Sequence, residues 1–293
     1  MSGVAGADRI RKEDIKPTSE WFEEMILKGF DSYSGQFNFT GSYVVGKKES
    51  YGDIDIVILC DNKDKKELKK EFIVYLETNF NDDIIQRFTN PNYIGKRYNN
   101  SGELVSLRIP QCIEGIFDNK SVQMDVIFAT TEEEFHYKTS FLNLPAEIQG
   151  LYLGIIKTLF LEVPENMLLQ KCNINQVTLE APKHGGIMEV DFNLSPKELQ
   201  IRQIERTDDF KTLNTKVLWS TRDWNIVEDL LEILNAKNKT FMELLEVITN
   251  FKNERSINRV KGLFASMVTV KSGEVGTEKG KWKELCLDNV TRL

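Results

Sequence analysis

The chain has 293 residues, 41% of them hydrophobic and 28% charged, with a net charge of −7. That length sustains a large core and two domains, and the balance excludes a disordered chain and a fibrous repeat. The acidic balance also argues against a protein that coats long nucleic acid by bulk charge, while leaving room for a local basic channel.

No apolar run approaches the roughly 20 residues of a membrane span, and the opening MSGVAGADRIRKEDIK has no apolar signal core, so a cytoplasmic protein is expected. Cys60, Cys112, Cys172 and Cys286 are scattered without metal-binding spacing and read as reduced core residues. The histidines, His136 and His184, are isolated and offer little to a His-based nucleophile relay.

In chain order, PTSEWFEEMILKGF (17–30) opens with cap-type Thr18 and Ser19 and sets Trp21, Phe22, Met25 and Ile26 on one helical face, which predicts an amphipathic helix over a sheet. A polar turn leads to a short strand, FNFT, ending at Gly41-Ser42. Ile54–Leu59 reads as a second strand. Residues 61–80 read as a helix with a solvated charged first half, docked by Phe72, Ile73, Leu76 and Phe80. Three strand-like runs follow, IIQRFT, LVSLRIP and SVQMDVIFAT, separated by turn formers, so an antiparallel meander is expected rather than parallel crossovers.

From Pro145 the periodicity turns helical, over 145–162, 195–210, 222–235, 239–253 and 256–267, with a small hairpin expected around His184-Gly185-Gly186. The predicted architecture is therefore α+β: a small mixed or antiparallel sheet flanked by helices over residues 1–145, followed by a mainly helical domain over 146–293.

Asp53 and Asp55 break the apolar run of the second strand. Side chains alternate along a strand, so the two acids share one face while Ile54 and Ile56 turn to the core. Carboxylates held side by side suit a hard divalent cation, and Mg2+ takes one or two such ligands together with substrate phosphates. Upstream, Gly41 lets a phosphate approach the backbone, and Ser42 offers a hydroxyl at the start of a helix whose free amides attract anions. The plainer alternative is a pair of solvent-facing acids on an edge strand, with Gly41-Ser42 and Tyr51-Gly52 serving as turns.

Gly41-Ser42, ten intervening residues and Asp53-Ile54-Asp55-Ile56 resemble the signature of the DNA polymerase β-like nucleotidyltransferase superfamily. The resemblance covers roughly residues 37–130. It implies a nucleotidyltransferase-like catalytic domain over 1–145 and a third carboxylate, which QMDVIF supplies as Asp125. Glu189 and Asp191 of IMEVDF are the rival candidates for that role.

The implied activity is metal-dependent transfer of a nucleoside monophosphate from a nucleoside triphosphate (NTP) to a hydroxyl, with release of pyrophosphate. Asp53, Asp55 and Asp125 are the implied ligands of Mg2+ or Mn2+. Gly41, Ser42 and Lys157 are the implied phosphate contacts, with Lys47, Lys48 and Ser50 of the intervening loop beside them. Tyr93, Tyr98, Tyr137 and Tyr152 are candidate base-stacking residues in a cleft between domains. The acceptor stays open among a small molecule, a protein side chain and an RNA 3′ end. Arg97, Arg108, Arg202, Arg206, Arg255, Arg259 and Lys261 offer an RNA path only if they converge, and no membrane partner is expected. A catalytically silent nucleotide-binding or regulatory module of the same fold is the alternative from a different class.

Overall fold

The computed structural model describes residues 7–45, 49–89, 95–113, 116–144, 149–163, 181–183, 185–207, 211–251 and 253–267, with Met167, Gln170, Cys172 and Glu284 besides. The chain divides into two compact units, residues 1–146 and 147–293.

The first unit is built on a five-stranded mixed sheet. Its strands are β2 (Tyr33–Thr40), β4 (Ile54–Cys60), β7 (Ile116–Ala129), β6 (Leu104–Ile113) and β5 (Tyr98–Ser101), side by side in that order. The short strands β1 (Ile10–Arg11) and β3 (Ser50–Tyr51) pair separately. The β6–β7 pair is antiparallel as expected, and β5 pairs antiparallel with β6 in place of IIQRFT, but β7 runs parallel to β4. A parallel pair needs a crossover, and α3 (Lys65–Asn79) lies within the segment that supplies it.

Ile54, Ile56 and Ile58 of β4 are at most 1% exposed and pack with Ile15 and Phe22 of α1 (Lys12–Met25), with Ile26 just after it, and with Leu68, Phe72 and Leu76 of α3. On the opposite face Val57 and Leu59 pack with Ile127, Ala129 and Phe135 of α4 (Glu132–Leu142). Each buried isoleucine contributes about 1.5–3 kcal/mol. Slipping β4 by one residue would carry Asp53 and Asp55 to the isoleucine face, so the pattern that places the strand also aims its carboxylates.

Three local expectations are corrected. Helix α1 starts at Lys12, with Pro17 inside it. Thr18 and Ser19 do not cap it: both are buried, the Thr18 hydroxyl donating to the Cys112 carbonyl and the Ser19 hydroxyl to the Ile15 carbonyl. IIQRFT is a turn and an irregular stretch, held by the Gln86 N–H on the Arg108 carbonyl and the Phe88 N–H on the Lys96 carbonyl. The edge strand beside β6 is instead YNNS, β5, whose polar residues carry no strand periodicity.

In the second unit α5 (Gln149–Leu159) is followed by β8 (Ile187–Leu194), β9 (Leu199–Arg206) and β10 (Thr212–Thr221), an antiparallel sheet with β9 in the middle. Then come α6 (Trp224–Ile233), α7 (Phe241–Ile248) and α8 (Glu254–Met267). The helix expected over 195–210 is thus a strand, and this unit is α+β rather than mainly helical among the described residues. Ile201 and Ile204 sit three apart, a spacing a helix also shows, and Gln, Arg and Glu favour helices. Pairing on both sides overrides that preference, and it buries Leu199 and Ile201 beside Phe192 and Leu194. No helix among the described residues is long and apolar enough to cross a membrane.

Candidate metal and phosphate site

Asp55 and Asp125 are direct partners across the parallel β4–β7 pair, so both carboxylates stand on the same sheet face. Asp53 joins them one step before β4 begins. Each of the three acids offers one oxygen, and these oxygens all lie within 4.8 Å of one another. β4 is flanked by β2 and β7, which removes the alternative of acids on an edge strand.

The cluster is electrostatically loaded. Burial, then Asp53, then Asp125 push the Asp55 carboxyl up to about 8. Asp125 is 4% exposed. Burial pushes it up to about 6, even though hydrogen bonds from Gln123 and Ser106 pull the other way. The Gln123 amide donates to Asp125 at 2.8 Å, and Ser106 is the direct partner of Asp125 on β6. Neither residue stands out along the sequence. The signal for Gln123 is the same alternation that marks the acids, since it lies two residues before Asp125 in an otherwise apolar strand.

Gly41 closes the site from the side of β2. Thr40 ends that strand opposite Asp55. Gly41 then takes a φ of +70°, and a Cβ added to it would lie 2.5 Å from Asp55 Oδ2. Only glycine meets both demands. Ser42 begins α2 (Ser42–Val45), so the Gly-Ser step and the three acids converge although ten residues separate them in the chain. Three hard oxygen donors, mutually repelling and partly desolvated, with a glycine against one of them, could hold a divalent cation.

The other predicted contacts are placed differently. The Ser50 hydroxyl accepts from Arg9 Nε at 3.0 Å. Lys47 and Lys48 lie outside the described residues, as does Tyr93. Lys157 belongs to the second unit, on α5, with its ammonium 3.5 Å from Asn193 Oδ1. There, burial and the neighbouring Arg202 and Arg259 lower its pKa.

Tyr137 is fully buried and stacks on Phe141, Tyr152 is 5% exposed, and Tyr98 packs against the core, so these three are packing residues. Asp191 pairs with Arg202 and Arg259, and Glu189 with Arg206 and Arg255. The rival acids are therefore partners of arginines in the other unit, and those four arginines are engaged. Arg97 donates to the Phe80, Asn81 and Ile85 carbonyls, and Arg108 donates to the Ser121 hydroxyl. No protein-family model and no curated protein sequence matches this chain.

Proposed function

We propose that the first unit is a metal-dependent nucleotidyltransferase, moving a nucleoside monophosphate from an NTP to a hydroxyl acceptor. One observation carries this reading: the turn at Gly41-Ser42 abuts Asp55 at a distance that admits no side chain, while Asp55 lies beside Asp125 in register. A glycine turn and a three-carboxylate cluster thereby share one small volume.

In the reaction the acceptor oxygen attacks the α-phosphorus. The bond from that phosphorus to the bridging oxygen of the β-phosphate breaks, and pyrophosphate leaves with the electron pair. A bound Mg2+ or Mn2+ would supply positive charge against the charge that develops in the transfer. Asp53 and Asp55 would hold the cation. Asp125, oriented by Gln123 and Ser106, completes the ligand set and is assigned to take the hydroxyl proton. Ser42 and the amides near it orient the phosphates.

The test is calorimetric titration with the four ribonucleoside triphosphates, with and without Mg2+, on the wild type and on Asp53→Asn/Asp55→Asn. Metal-dependent binding lost in the double variant is expected. Binding that survives the double substitution would sink the assignment. Metal-dependent binding without pyrophosphate release across acceptor classes would turn the reading to a silent nucleotide-binding module.

A further inference from the structure

The face of β8 that carries Asp191 and Asn193 gathers cations from three elements of the second unit. Arg202 is the direct partner of Asp191 on β9, and its Nη2 donates to Asp191 Oδ2 at 2.9 Å. Arg259 of α8 donates to the other oxygen, Asp191 Oδ1. Lys157 of α5 reaches Asn193, two residues further along the same strand face, with its ammonium 3.5 Å from Oδ1. The Asp191 side chain is 4% exposed, against 24% for Arg202 and 30% for Arg259, so the carboxylate lies beneath while the guanidiniums reach toward solvent.

The plainer account is a set of ion pairs that ties α8 to the sheet. Such a tie is complete with one cation on the carboxylate. Here guanidiniums take both oxygens of Asp191, and Lys157 is left with a neutral amide, itself held by Asn193 Nδ2 donating to Gln200 Oε1 at 3.4 Å. Asp191 does attract Lys157, but burial, Arg202 and Arg259 outweigh it and lower the lysine pKa. Among the described residues, three cations therefore share one carboxylate in a partly desolvated spot. Charge held away from water is ordinarily compensated, so the surplus calls for an anion.

The surplus also selects the anion. Two uncompensated positive charges match a dianion. Each guanidinium carries five N–H groups in a planar fork, more than Asp191 can accept, and that fork matches the oxygens of a phosphate, to which the ammonium adds a point charge. A phosphate monoester carries close to two negative charges near neutral pH, whereas a diester keeps a single ionisable oxygen.

We propose that Lys157, Arg202 and Arg259 form a binding site for a dianionic phosphate group, either free phosphate or a phosphate monoester, with Asp191 as the strut that holds the two arginines in place. The site is built wholly from the second unit and needs no divalent cation. It does not rest on the nucleotidyltransferase reading.

Calorimetric titration and thermal unfolding of the full chain in EDTA test it, with inorganic phosphate, methyl phosphate and dimethyl phosphate as ligands and chloride at matched ionic strength as the reference. Without a divalent cation the three aspartates of the first unit repel anions, so binding in EDTA reports on the second unit. Inorganic phosphate is expected to bind and to raise the Tm beyond chloride, and dimethyl phosphate to bind at least about tenfold more weakly. Methyl phosphate binding as tightly as inorganic phosphate assigns the site to a monoester, and inorganic phosphate binding alone assigns it to the free ion. Lys157→Met and Arg259→Gln are each expected to weaken phosphate binding by about tenfold. Arg255→Gln, which removes a neighbouring arginine paired with Glu189, should change it by no more than about threefold. Lys157→Met should also keep the wild-type Tm in chloride, because the charge it removes is opposed by burial and by two guanidiniums. A phosphate response no larger than that of chloride overturns the proposal, as does phosphate affinity unchanged in both Lys157→Met and Arg259→Gln. Dimethyl phosphate binding as tightly as inorganic phosphate overturns the assignment to a dianion. All of these failures leave the metal site of the first unit standing.

Discussion

Replacing Gly41 by alanine tests the close approach that defines the site. Two costs add there. A non-glycine residue at a φ of +70° loses about 1–2 kcal/mol. The new Cβ would also lie 2.5 Å from Asp55 Oδ2, so that carboxylate must retreat by about 0.9 Å to reach the 3.4 Å where ordinary van der Waals contact begins. Crowding of this kind typically costs a further 1–3 kcal/mol, eased where the side chain can rotate.

Gly35→Ala separates the two costs. Gly35 has a φ of +78° with nothing within 4 Å of an added Cβ, so it carries the backbone cost alone. Gly52, with open space and no positive φ, is a neutral reference. In differential scanning fluorimetry a unit of this size shifts by about 2–4 °C per kcal/mol. Roughly 2–8 °C is therefore expected to be lost in Gly35→Ala and about 4–20 °C in Gly41→Ala. The second readout is more specific: Mg2+ should still raise the Tm of Gly35→Ala but not that of Gly41→Ala, whose Asp55 has been displaced. Equal losses in the two variants, with the metal response intact in both, would refute the reasoning.

Saturating Mg2+ or Mn2+ at about 100 times its Kd should stabilise the wild type by about 2.7 kcal/mol, an increase in Tm that Asp53→Asn/Asp55→Asn abolishes. Without divalent cations the pH dependence has a definite sign. The Asp55 carboxyl ionises near 8 when folded against 3.8 ordinarily, so between those values the folded state holds the extra proton and stability falls as pH rises. Denaturation in EDTA across pH 4 to 8 should show that fall, and Asp55→Asn should flatten it. Asp191 behaves oppositely. Burial alone would raise its carboxyl, but Arg259 and Arg202 outweigh burial and hold it below 3.8. Its contribution is therefore present above that value and lost as pH falls through the lower folded one. Asp191→Asn should cost about 1–3 kcal/mol at neutral pH, measured by urea denaturation, because it leaves two partly buried arginines short of an acceptor.

The orientation of Asp53 and Asp55 is a local property. Strand alternation sends them one way and Ile54, Ile56 and Ile58 the other, and burial of the isoleucines makes that choice firm. The helices α6, α7 and α8 are legible for the same kind of reason: each spans several turns with an apolar stripe, and α7 carries the Thr240–Glu243 capping box. Local periodicity does not say what stands opposite a residue. The match of Asp55 with Asp125, 70 positions away, follows from the parallel pairing of β4 with β7. The contact of Gly41 with Asp55 follows from the antiparallel pairing of β2 with β4. β9 shows the same division from the other side, since its helix-forming residues become a strand only because β8 and β10 pair with it. The grouping of Lys157, Arg202 and Arg259 around Asp191 has no signature along the chain, because its members come from α5, β9 and α8, which meet only once the second unit has folded.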